Sequence, residues 1–119
     1  MKVKNPLVEK KDRIYLVAKV TGLPIEEVRR KYAEFKKIAE DFGYEVVVPT
    51  EHVNPTAGWH EAMKICIPLL ISCDCYALLD EPYCTTGGLI ETTIAGWLNI
   101  RQVRIPHFKI KPIAEEAYP

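Results

Sequence analysis

Apolar positions along the chain change period several times, and each change marks an element. Residues 13–20, RIYLVAKV, form a β-branched, apolar run too short for a good helix, which predicts a buried strand. TGLP at 21–24 punctuates it. From 25 to 42 the spacing becomes helical: Val28, Tyr32, Phe35, Ala39 and Phe42 recur by steps of four, three, four and three and share one face. Glu26 and Arg30, and Glu27 and Lys31, then stand one turn apart on the solvent side. Pro24 suits the helix start, where its missing N–H does no harm, and Gly43 suits the end. YEVVVP at 44–49 predicts a second strand, followed by a polar, turn-rich loop at 50–58. A second helix is expected over 59–72, interrupted at Pro68, and CYALLD at 75–80 reads as a third strand. A loop at 81–88 leads to a third helix over 89–99 and a fourth strand at 102–106. Neither an internal repeat nor a low-complexity segment interrupts this alternation.

Strand–helix–strand repetition with short connections predicts an α/β three-layer sandwich. It is flavodoxin-like, with a parallel sheet of four to five strands and helices on both faces. The expected unit is a single domain over 1–119. Residues 1–12 form a lead-in segment, 13–106 the α/β core, and 107–119 a tail that adds an edge strand or lies on the surface. Ligands of such sheets sit beyond the carboxyl ends of the strands. Three loops end there: AKVTGLP, PTEHVNPTAGW and DEPYCTTGG. The last leads into TTGGLIETTIAGW, which places one acid, Glu91, in the expected first turn of the third helix. The helix dipole favours an ionised acid there, and free N–H groups beside the glycines can hold an anion or sugar oxygens. A purely structural reading also fits: acids are common at helix starts, and paired glycines permit close helix–strand packing.

Composition narrows the function. The 119 residues suffice for one core, and 48% apolar with 27% charged residues is ordinary for a globular domain. Sixteen basic residues balance sixteen acidic ones, so the basic excess of a nucleic-acid binder is missing. No apolar run reaches membrane-spanning length and no signal-peptide core opens the chain, so neither nucleic acid nor membrane is an expected partner and the expected location is cytoplasmic. Cys66, Cys73, Cys75 and Cys84 then read as reduced, buried thiols. Their C-x6-C-x-C-x8-C spacing lacks a CxxC pair, and neither a metal nor a cofactor is expected.

IYLVAKVTGLP, GYEVVVP, SCDCYALLD and TTGGLIETTIA follow one another in the order and spacing of the nucleoside 2-deoxyribosyltransferase superfamily. The chain most resembles its small branch, whose motifs run IYISGxxTGLP, GYEVxNP, CDAIYLL and SRGAxxE; the resemblance covers about residues 13–105. It implies that Glu91 is a nucleophile that attacks the anomeric carbon of a deoxyribose, displaces the base and forms a covalent glycosyl-enzyme. It implies that Tyr15 approaches this carboxylate. Thr85 matches a position that carries aspartate in the transferases and serine in the nucleotide hydrolases. Ala18, Lys19, Thr21 and Gly22 match the loop lining the sugar or phosphate pocket, and Thr86, Gly87 and Gly88 complete the implied substrate-binding set. Cys66 stands where the family enzymes carry an aspartate that assists proton transfer to the leaving base, and Ala18 stands where they carry glycine. Asp74 matches the acid that opens the third strand, for which a capping role is the expectation.

His52, His60 and Trp59 lie in or beside the second loop, and Tyr83 beside CTTGG; each fits a solvated or packing role, and each is also placed to meet a base. Two function classes follow. One is an N-glycosidic bond hydrolase or 2-deoxyribosyltransferase acting on a nucleoside or nucleotide; the other is a non-catalytic protein that binds such a ligand in the same pocket. The retained Glu91 and Thr85 favour the first, and Cys66 the second. Superfamily relatives pair to close one another's pockets, and Ile94, Trp97 and Leu98 give the third helix more apolar surface than a thin sheet needs. A homodimer or larger even homo-oligomer is therefore expected.

Overall fold

The computed structural model describes residues 11–20, 22–80 and 85–105. Its elements are β1 (Arg13–Val17), α1 (Ile25–Asp41), β2 (Glu45–Val47), a short 3-10 turn (Pro49–Glu51), α2 (Trp59–Ile71), β3 (Cys75–Leu78), α3 (Thr86–Trp97) and β4 (Arg101–Gln102). The four strands form one parallel sheet in the order β2-β1-β3-β4. Three helices cover its two faces, giving the α/β flavodoxin-like sandwich that the alternation of periods predicts.

β1 is central and apolar on both sides because both sides are covered. Period-two alternation divides its residues between two cores. Ile14 and Leu16 join Val28, Tyr32, Phe35 and Ala39 of α1. Tyr15 and Val17 join Cys66 and Leu70 of α2 and Ala95 of α3 on the opposite face. The helical stripe of α1 is thus the inner face of one outer layer, and α2 with α3 forms the other.

Three local expectations are corrected. Phe42 leaves the buried stripe and is 62% exposed. α1 ends at Asp41 in a Schellman turn, with Gly43 N–H bonded to the Glu40 carbonyl, Tyr44 N–H to the Ala39 carbonyl, and Gly43 at φ +93°. Phe42 is the cap residue, so the helical period no longer aims it at the sheet. Glu26, Glu27 and Arg30 are exposed as expected, with Glu26 reaching Arg29 at 3.2 Å, while Lys31 is half-buried and pairs with Asp80 at 2.8 Å. Pro68 does not interrupt α2. It stands in the last turn, where it removes a single N–H from the ladder, and its carbonyl still accepts from Ser72 N–H at 3.1 Å. Burial of Cys66 and Leu70 on either side of it holds the helix against the sheet. Finally, α3 begins at Thr86, three residues before the expected start. The Thr85 side chain accepts from Gly88 N–H at 2.9 Å, an N-cap that makes the glycine pair the first turn of the helix.

Asn99 stands at φ 57° after α3, with Ile100 N–H bonded to the Ala95 carbonyl, and delivers the chain to β4. β4 covers 101–102 rather than 102–106, and Val103 N–H still bonds to the Tyr76 carbonyl at 2.8 Å. At the opposite edge of the sheet, Asp74 accepts from Arg13 N–H at 2.8 Å, which ties the starts of β1 and β3 together. Its role is the expected capping one. No helix among the described residues is long and apolar enough to cross a membrane.

Candidate active site

Beyond the carboxyl ends of β1 and β3 the chain leaves in opposite directions, outward through α1 and through α3. This topology opens a crevice at that edge. A cleft of about 430 Å³ occupies it, within the size range of small-molecule sites. Ala18, Val20 and Leu23 form one wall, after β1. Pro49, Thr50, Val53 and Asn54 form another, after β2. The first turns of α2 contribute Trp59, Ala62, Met63 and Cys66, and α3 closes the cleft with Thr85, Gly87, Gly88 and Glu91. Tyr15 and Tyr32 lie at the base.

Glu91 is the one buried acid among the described residues, 8% exposed, and it lines this cleft rather than facing bulk solvent. The Tyr15 hydroxyl donates a hydrogen bond to its Oε2. Among the described residues nothing donates to Oε1. Because α3 starts early, Glu91 belongs to the second helical turn, and the first turn holds no acid. The expectation that the helix end favours its ionised form is therefore corrected: the dipole acts within the first turn, and burial dominates here. Burial raises the Glu91 carboxyl from 4.5 to about 6, against the opposing effect of the Tyr15 hydrogen bond. Glu91 is ionised at neutral pH, but less readily than a surface acid.

The groups around it stay neutral. Burial, and then the charge of Glu91, push the Tyr15 hydroxyl far above its ordinary range. Burial raises the Cys66 thiol as well, opposed by its hydrogen bond with Tyr15. Tyr32 is raised by burial and then by Glu91. Among the described residues the site is thus one ionisable carboxylate within a shell of neutral donors and apolar walls.

The structure brings Tyr15, Ala18, Cys66, Thr85, Gly87, Gly88 and Glu91 together in the cleft. Lys19 and Gly22 do not line it. Lys19 N–H donates to Asp80 Oδ2 at 2.7 Å, and Gly22 is an exposed turn residue at φ +83°. Thr86 is exposed and also lies outside the lining. Thr21 and Tyr83 lie outside the described residues. The Thr85 hydroxyl is engaged as the helix cap rather than with Glu91. His52 and His60 do not line the cleft; the His60 ring meets Trp59 edge-on, with centroids 5.2 Å apart.

Trp59, Met63, Asn54 and Tyr32 are lining residues that periodicity assigned to packing or to loops. Trp59 alone carried a signal, an aromatic at a helix start beside a pocket loop. Its indole nitrogen would lie 3.6 Å from a Cβ on Gly87, and the Met63 sulfur 3.3 Å. Gly87 therefore lets α2 and α3 approach closely where they form the cleft wall. Asp80 was also missed. It holds both Lys19 N–H and Lys31 Nζ and so pins the segment that follows β1. Cys73 and Cys75 are buried and free, and no group of three or more metal-ligating side chains stands together among the described residues.

Comparison with curated proteins returns no match. The profile of one family matches residues 12–103, a span that contains every strand of the sheet and all three helices around the Tyr15–Glu91 cleft, and the chain belongs to that family, the Domain of unknown function (DUF4406).

Proposed function

We propose that the protein acts on the N-glycosidic bond of a nucleoside or nucleotide, as a hydrolase or 2-deoxyribosyltransferase, with Glu91 as the nucleophile. The observation that carries this reading is a buried, ionisable carboxylate in a ligand-sized cleft, with one oxygen held by Tyr15 and the other without a hydrogen-bond donor among the described residues. Such an oxygen can attack the anomeric carbon, and water or a second base can then release the glycosyl group. The resemblance to the nucleoside 2-deoxyribosyltransferase superfamily supports the same assignment. A reduced, cytoplasmic setting fits the free cysteines.

Incubation with a panel of deoxynucleosides and their 5′-monophosphates, followed by chromatography, tests the reading. Release of free base is the expected result. A second reading, a non-catalytic binder, is favoured by Cys66, a neutral thiol and poor proton donor where the resembled enzymes carry an acid. Thermal stabilisation by panel members without base release would establish the binder.

Assembly is part of the proposal. Ile94 packs against the core, but Trp97 is 85% exposed and Leu89 in α3 and Leu98 at its cap are about half exposed, where Thr93 and Gly96 leave the surface low. Two copies packed through this face would cover the tryptophan. Light scattering is expected to give a dimer or larger even oligomer at micromolar concentration, and Trp97→Asp is expected to shift it toward monomer. A monomer mass for the unaltered protein would refute the assembly.

A further inference from the structure

Two properties of the cleft restrict what it can take. The first is charge. No Lys, Arg or His lines it among the described residues. The nearby Lys31 is already paired with Asp80. The amino end of α3 offers about half a positive charge, against the full charge of an ionised Glu91. A phosphate monoester brings up to two negative charges, which ionised Glu91 repels. A cation is attracted by Glu91 and can stack on Trp59, the aromatic face best suited to a positive ring.

The second property concerns protons. A neutral nucleobase must be protonated as it leaves. Tyr15 gives its proton to the hydrogen bond with Glu91, and Cys66 is a neutral thiol whose ionisation burial disfavours. Among the described lining residues, no other group has an acid's proton to give.

Both properties are met by one ligand class. We infer that the cleft takes a nucleoside without phosphate whose base already bears a positive charge on the glycosidic ring system, such as a pyridinium or an N7-alkylated purine. This inference rests on the reading of Glu91 as nucleophile and names its substrate class. The Glu91 carboxylate forms a bond to C1′ while the C1′–N bond breaks, and its electron pair neutralises the cationic ring. The base therefore departs without an added proton. Water then attacks C1′, the ester C–O bond breaks to restore the carboxylate, and one proton passes to solvent.

Isosteric probes isolate the charge: nicotinamide riboside, its neutral 1,4-dihydro form, its 5′-monophosphate, and 7-methylguanosine beside guanosine. Calorimetry on the full chain is expected to show nicotinamide riboside binding about tenfold more tightly than the dihydro form or the monophosphate. Chromatography is expected to show base release from the cationic nucleosides at least about a hundredfold faster than from guanosine, and its loss in Glu91→Gln. Equal or tighter binding of the dihydro form or the monophosphate overturns the inference, as does failure of every probe to bind. Equal release from guanosine and 7-methylguanosine also overturns it, while leaving Glu91 as the nucleophile. Charge-selective binding without any base release supports the ligand class and removes Glu91's catalytic role, so the two readings fail separately.

Discussion

Glu91→Gln is expected to end turnover and, at neutral pH, to make the protein more stable. Glutamine keeps the size of the side chain and can still accept from Tyr15, but it has neither the charge nor the nucleophilicity of the carboxylate. Loss of turnover by about a thousandfold or more is expected of a nucleophile. The stability effect has the opposite sign. The Glu91 carboxyl is raised in the folded protein from 4.5 to about 6, chiefly by burial. Between those values the folded state retains a proton that the unfolded chain has lost, so stability falls as pH rises through the window. Above it, ionised Glu91 costs on the order of 2 kcal/mol. Tyr15, Tyr32 and Cys66 stay neutral across this range and do not mask the effect. Glutamine carries no such cost, so melting at pH 7.5 is expected to rise by roughly 3–8 °C, with the advantage gone below pH 4.5. A lower melting temperature at both pH values would show that the carboxylate is a structural prop rather than a buried charge kept at a cost in stability.

Tyr15→Phe tests the partner. Phenylalanine keeps the buried ring of β1 and its place in the core, so it removes only the hydroxyl. Glu91 then loses its hydrogen bond while still buried, a cost of about 1–3 kcal/mol at neutral pH. That bond lowers the Glu91 carboxyl, so its removal moves ionisation above about 6. The acidic limb of the pH dependence of kcat/KM should shift upward with it, and urea unfolding at pH 7.5 should show the loss of stability. An acidic limb that stays in place would mean that Tyr15 does not hold the carboxylate that reacts.

Much of this arrangement is legible along the chain because it is local. The stripe of α1, the apolar run of β1 and the turn residues at the carboxyl edge each follow from the spacing of a few neighbours. Val28, Tyr32, Phe35 and Ala39 are buried as their period requires. Expectations fail where a competing local signal is weak alone. Thr85 is a good cap, but the two glycines near it are poor helix formers, so apolar spacing alone starts the helix at 89 rather than 86. Pro68 argued for a break that one missing hydrogen bond in a last turn does not force.

The sequence by itself determined the order of strands and helices, the sheet edge where the cleft lies and the identity of the acid in the last loop-to-helix segment. Each rests on contacts within a turn or two of chain. Only the tertiary structure decided how that acid behaves. Tyr15 and Glu91 are 76 residues apart, and parallel pairing of β1 with β3 brings them into one hydrogen bond. Close approach of α2 and α3 at Gly87 places Trp59 and Cys66 beside the same cleft, and Asp80 draws Lys31 into an ion pair. Ionisation, exposure and net charge of a site depend on every group brought near it through space, whatever its distance along the chain. Spacing could therefore locate the Glu91 carboxylate, but only the fold shows that burial, rather than the helix dipole, sets its charge.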